Sequence, residues 1–81
     1  MFKNRNEDGK NNVCGSRIAE IRKAKTPRVS QRKLADSLQL LGLDLDKNAI
    51  QRIEAGQRFV TDIELKVICS VLGVTYSDLL D

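Results

Sequence analysis

The sequence predicts an all-α fold of five short helices in one compact domain, and three observations predict it. Apolar residues recur at helical spacing, as at Cys14, Ile18 and Ile21, or at Leu34, Ala35 and Leu38. Residues suited to cap a helix N-terminus stand just ahead of the helical segments: Asn12, Ser30, Asp46, Thr61 and Thr75. Gly42, Gly56 and Gly73 follow three of those segments as stops. No strand signal and no internal repeat compete with this reading.

Each element can be justified in order. Residues 1–11 are polar and aperiodic and read as a flexible tail, with the folded domain over 12–81. Asn12 caps a first helix expected from Val13 to about Lys25. "TPRVS" breaks it, because Pro27 disfavours helix at Thr26. Ser30 then caps a second helix, Gln31 to about Leu40, that buries Leu34, Ala35 and Leu38 and that Leu41 can extend. Gly42 opens the turn "LGLDLD", in which Leu43 and Leu45 alternate with Asp44 and Asp46.

Asp46 caps a third helix, Lys47 to Ala55. Ala49, Ile50 and Ile53 face inward there, which leaves Lys47, Asn48, Gln51 and Arg52 outward. After the loop "QRFV", Thr61 and Glu64 have the spacing of a capping box and open a fourth helix. Its Ile63, Leu65, Val67, Ile68, Val71 and Leu72 exceed what one apolar stripe needs. Thr75 and Asp78 form a second capping box for a short fifth helix carrying Tyr76, Leu79 and Leu80.

Composition narrows the function classes. A chain of 81 residues with 41% hydrophobic and 31% charged content matches one soluble globular domain. No apolar run nears the roughly 20 residues that span a bilayer, and the N-terminus lacks the apolar core of a signal peptide. A cytoplasmic protein with no membrane role is the expectation. There is no histidine, and Cys14 and Cys69 are not arranged as a CxxC pair. They read as small buried hydrophobes, with no metal site, no cofactor and no activated nucleophile in view. The chain is therefore not expected to be an enzyme.

Charge is more informative than its net value of +3. Between Gly15 and Leu34 stand Arg17, Arg22, Lys23, Lys25, Arg28, Arg32 and Lys33 against Glu20 alone. Between Thr61 and Asp81, Lys66 stands alone against Asp62, Glu64, Asp78 and Asp81. One end is basic and the other acidic, which points to a polyanion partner at the basic end.

Two helices joined by a glycine-containing turn, the second with a polar N-terminal face, describe a helix-turn-helix reader. "SQRKLADSL", "NAIQRIEAGQR" and "LKVICSVLGVTYSDLL", in that order, resemble the lambda-repressor-like helix-turn-helix domain of the Cro/repressor, or XRE, family. The resemblance covers roughly residues 13–80. It implies a five-helix domain whose third helix lies in the major groove of double-stranded DNA. Lys47, Asn48, Gln51 and Arg52 would then touch base edges, with Arg or Lys donating to guanine and Asn or Gln pairing with adenine.

Gln31 matches a backbone-binding position in the family, and Arg28, Arg32 and Lys33 lie beside it. Arg58 and Gln57 follow the reading helix and would hold phosphate on its other side. Such contacts position a protein without carrying much sequence information. The resemblance further implies an ion pair between Arg22 and Glu54.

This chain departs from the family pattern at two places. Ala35 and Ile50 are fifteen residues apart where about ten is usual, and the segment from Arg22 to Gln31 is about two residues longer than usual. The first extension gives a longer turn between helices 2 and 3, which Leu40, Leu41, Leu43 and Leu45 would anchor. Asp46 is expected to cap, although an acid there can also accept from cytosine N4. A homodimer on two half-sites is the usual arrangement for so small a reader. Val71, Tyr76, Leu79 and Leu80 are candidates for its surface, with ordinary core packing as the competing role. The expected function is a sequence-specific DNA-binding transcriptional regulator, acting as a repressor. The alternative is an antitoxin-like or phage/plasmid-type adaptor whose main role is to hold a protein partner.

Overall fold

The computed structural model describes residues 9–81. Among them are five α-helices and no strand: α1 Gly15–Ala24, α2 Gln31–Leu40, α3 Lys47–Glu54, α4 Asp62–Leu72 and α5 Tyr76–Leu80. No helix among the described residues is long and apolar enough to cross a membrane. The main packings close into a ring. α3 lies against α1 and α2, α1 continues to α5, α5 to α4, and α4 returns to α2. The inside of this ring is one apolar cluster that includes Ile18, Leu34, Leu38, Ile50, Ile53, Ile68, Leu72 and Leu79, all essentially without exposure. Each such side chain contributes about 1.5–3 kcal/mol by leaving water.

Caps fix where the helices begin. Ser30 Oγ accepts from the Lys33 N–H at 3.0 Å, and Asp46 Oδ1 accepts from the Ala49 N–H at 2.8 Å. Thr61 with Glu64, and Thr75 with Asp78, form the two reciprocal capping boxes that their spacing predicts. At the end of α2, Gly42 takes φ 86°, a left-handed conformation that costs a glycine nothing. That turn lets the Leu43 N–H reach back to the Leu38 carbonyl and the Gly42 N–H to that of Gln39. The last turn of α3 closes the same way: the Gln57 N–H donates to the Arg52 carbonyl and the Gly56 N–H to that of Ile53.

The extended turn between α2 and α3 has two apolar anchors rather than four. Leu45 is buried and Leu43 is half-buried against the core. Leu40 and Leu41, expected as anchors too, are 87% and 58% exposed. The reason is rotational. Leu34, Ala35 and Leu38 hold the inward face of α2, so its final residue turns outward. Gln39 steadies the turn instead, its Nε2 donating to the Leu45 carbonyl at 3.2 Å.

The N-terminal boundary also moves. α1 begins at Gly15 rather than Val13 and ends at Ala24 rather than Lys25. The residue at the cap position is Cys14, which makes no side-chain cap, rather than Asn12; Asn12 Oδ1 still accepts from the Gly15 N–H at 2.8 Å from two residues further back. Residues 1–8 of the expected flexible tail lie outside the described residues, but Lys10 and Asn11 belong to the fold. The Asn11 N–H donates to the Gly56 carbonyl and Asn11 Nδ2 to that of Gln57, at 2.8 and 2.9 Å. The side chain of Lys10 covers Gly56, where an added Cβ would collide with it.

Candidate nucleic-acid interface

α3 is two-sided. Ala49, Ile50 and Ile53 are buried against the core, and Lys47, Asn48, Gln51 and Arg52 are all exposed. The 3.6-residue period alone makes this division, because inward residues at i, i+1 and i+4 leave the opposite arc to solvent. Burial of the two isoleucines fixes the helix on its support and so fixes the direction of the polar arc. None of Lys47, Arg52, Arg28, Arg32 and Lys33 forms an ion pair among the described residues. Their charge is therefore directed outward.

The support is reinforced by a buried polar network. Arg22 of α1 is 6% exposed. Its Nε and Nη2 donate to the two carboxylate oxygens of Glu54, each at 2.8 Å. Its Nη1 donates to the Val29 carbonyl at 2.9 Å. The Arg22 carbonyl in turn accepts from the Lys25 and Val29 N–H groups, so one residue organises both ends of the loop between α1 and α2. Glu54 at the end of α3 faces the negative end of the helix dipole, and the forked guanidinium is what makes it tolerable.

The six residues expected to hold phosphate separate into groups. Arg28, Arg32 and Lys33 are exposed around the N-terminus of α2, where free N–H groups already favour an anion. Gln31 is half-buried, and its Nε2 donates to Glu54 Oε1 at 3.0 Å, which ties the start of α2 to the end of α3. Gln57 is exposed, its backbone fixed by Arg52 and Asn11.

Arg58 has another partner. Its Nη1 and Nη2 donate to Glu64 at 3.0 and 2.9 Å, and Nη1 also donates to the Phe59 carbonyl. The capping box of α4 sets the Glu64 carboxylate within reach. These bonds push the Arg58 pKa up, and they are the first cause holding that of Glu64 below its ordinary range. Arg58 is thus a staple between the loop and α4, and its charge is largely neutralised there.

Three roles near the interface escaped sequence reasoning. Asn12 Nδ2 donates to the carbonyls of Ile53 at 3.1 Å and Arg58 at 2.6 Å, joining the start of α1 to the end of α3. Asn11 makes the parallel tie to the loop after α3. Gly15 lies so close to the Ile53 carbonyl that an added Cβ would clash with that backbone oxygen. A glycine in the first turn of a helix is itself a signal of close approach, since it costs the helix about 1 kcal/mol against alanine. No such signal marks the two asparagines.

Two adjoining clefts border α3, and they differ in chemistry. One is lined by Arg22, Arg28, Ser30, Gln31, Arg32 and Lys47; Glu54 neutralises Arg22, which leaves Arg28, Arg32 and Lys47 as its open cations. The other, between α2 and the start of α3, is lined by Arg32, Ala35, Asp36, Gln39, Asp46, Lys47 and Asn48. It combines two cations, two carboxylates and two amides.

Of the residues expected at a dimer surface, Leu79 is fully buried in the core and is removed from that set. It is the inward anchor of α5. Val71 is half-buried, and Tyr76 and Leu80 are 49% and 46% exposed. Both cysteines are buried, and burial pushes both thiols up, furthering inertness. Compared with known proteins, the chain matches no family model, no curated protein and no solved structure.

Proposed function

We propose that this chain is a sequence-specific double-stranded DNA-binding regulator of transcription, of the lambda-repressor-like helix-turn-helix type, that acts as a repressor. The observation that carries the reading is the pairing of α2 and α3. α3 presents Lys47, Asn48, Gln51 and Arg52 outward from an apolar underside, and the N-terminus of α2 beside it is ringed by Arg28, Arg32 and Lys33. The first set has the donors and acceptors that base edges in a major groove require. The second has the charge and free N–H groups that phosphates require. The Arg22–Glu54 pair that the family resemblance implies supports the same reading. Two copies on half-sites about 34 Å apart would supply the contact area that one small domain lacks.

Selection of duplexes from a random pool tests the proposal. A shared motif is expected, with affinity falling steeply as salt rises. Asn48→Ala with Arg52→Ala should abolish preference for the motif. Arg32→Ala should weaken all sequences alike and reduce the salt slope by about one unit. Enrichment of nothing above background overturns the reading.

A second reading has its own observation. Leu40 and Leu41, consecutive at the end of α2, are 87% and 58% exposed, and adjoining apolar side chains of this kind offer a surface to a protein partner. An adaptor of the antitoxin or phage/plasmid type would keep its partner in the Asn48→Ala, Arg52→Ala variant.

A further inference from the structure

Asp46 caps α3 with only one of its two oxygens. Oδ1 accepts from the Ala49 N–H, and no ion pair among the described residues engages the carboxylate. The residue is exposed and lines the mixed cleft together with Lys47 and Asn48. We infer that Asp46 is a specificity-determining residue that reads a C·G base pair jointly with Lys47; the inference rests on the DNA-binding reading of α3.

The chemistry of the two clefts separates the roles. A carboxylate facing phosphates is repelled, and the cleft that holds Arg28, Arg32 and Lys47 has none in its lining. The mixed cleft brings Asp36 and Asp46 together with Arg32 and Lys47, so two cations in the same lining offset the repulsion that phosphates exert on its acids. An ionised carboxylate only accepts hydrogen bonds. In the major groove cytosine offers the N4 donor and its guanine partner offers the O6 and N7 acceptors. Asp46 and Lys47, adjacent at the start of α3, supply one acceptor and one donor for those two edges. The same carboxylate disfavours thymine and guanine at the cytosine position, since their major-groove oxygens are acceptors. Capping and reading are compatible because each takes a different oxygen.

Asp46→Asn is the decisive variant, because asparagine caps a helix as well as aspartate does. Thermal unfolding should therefore be nearly unchanged. In parallel selections from one random pool, the native chain should enrich a motif with cytosine at one position of each half-site. Asp46→Asn should lose that cytosine, with adenine gaining there, and leave the other positions intact. Affinity for the native motif should fall about tenfold. An unchanged motif from the variant, or a uniform gain of affinity for every sequence, overturns the role of Asp46 and leaves DNA reading by α3 standing. No motif from the native chain overturns both.

Discussion

Arg22 shows what one buried side chain does here. It holds both oxygens of Glu54 and the Val29 carbonyl, while Gln31 adds a further bond to the same carboxylate. Arg22→Met would leave that carboxylate in the interior without its cation. Removing one partner of a buried pair costs about 3–5 kcal/mol. Denaturant unfolding should show a loss of this size, with much of it regained when Glu54→Leu is added. A single-variant loss below about 1 kcal/mol would mean the pair is solvated and structurally idle. This pair was legible because the resemblance seen in the sequence implies it. The bond from Gln31 was not, since its carboxylate partner is distant in sequence and only folding brings them together. Asn12 was half legible: its bond to the Gly15 N–H is local, although Cys14 and not Asn12 holds the cap position, and its bonds to the Ile53 and Arg58 carbonyls span 41 and 46 residues.

Helix starts were the most legible elements, because a cap is a local device. Ser30, Asp46, Thr61 and Thr75 all accept the bonds their positions predict. Leu40 and Leu41 were misplaced because an apolar run at a helix end does not reveal which residues the turn will rotate outward. The capping boxes also predict a response to acid. Glu64 is held below its ordinary value of 4.5, first by its bonds from Arg58, and Asp78 below its ordinary 3.8, first by its bond from the Thr75 backbone. A carboxylate whose folded pKa is lowered stabilises the fold above its unfolded pKa. That contribution fades as pH falls through the folded value. Thermal unfolding should therefore drop as pH falls below about 4.5, and Glu64→Gln should flatten part of the decline. Equal slopes in both proteins would mean that the Arg58–Glu64 staple contributes nothing.

For the whole molecule, the ring of five helices turns an uneven charge pattern into a surface. Arg28 and Arg32 share a cleft with Lys47 at the start of α3, while Glu64 and Asp78 are held in the capping boxes of α4 and α5. The all-α class and the number of helices were legible from periodicity and punctuation. The order in which helices pack was not, because long-range packing leaves no local mark. The tie of Lys10 and Asn11 to the end of α3 was likewise hidden in a polar segment.

The central claim is that the exposed arc of α3, with the N-terminus of α2, is the surface that meets DNA. Backbone amide chemical shifts of the labelled protein, followed while an enriched duplex is added, test it most directly. The largest changes are expected at Lys47, Asn48, Gln51 and Arg52, with a second set at Gln31, Arg32 and Lys33. A saturating duplex that leaves the amides of α3 unmoved would contradict the claim.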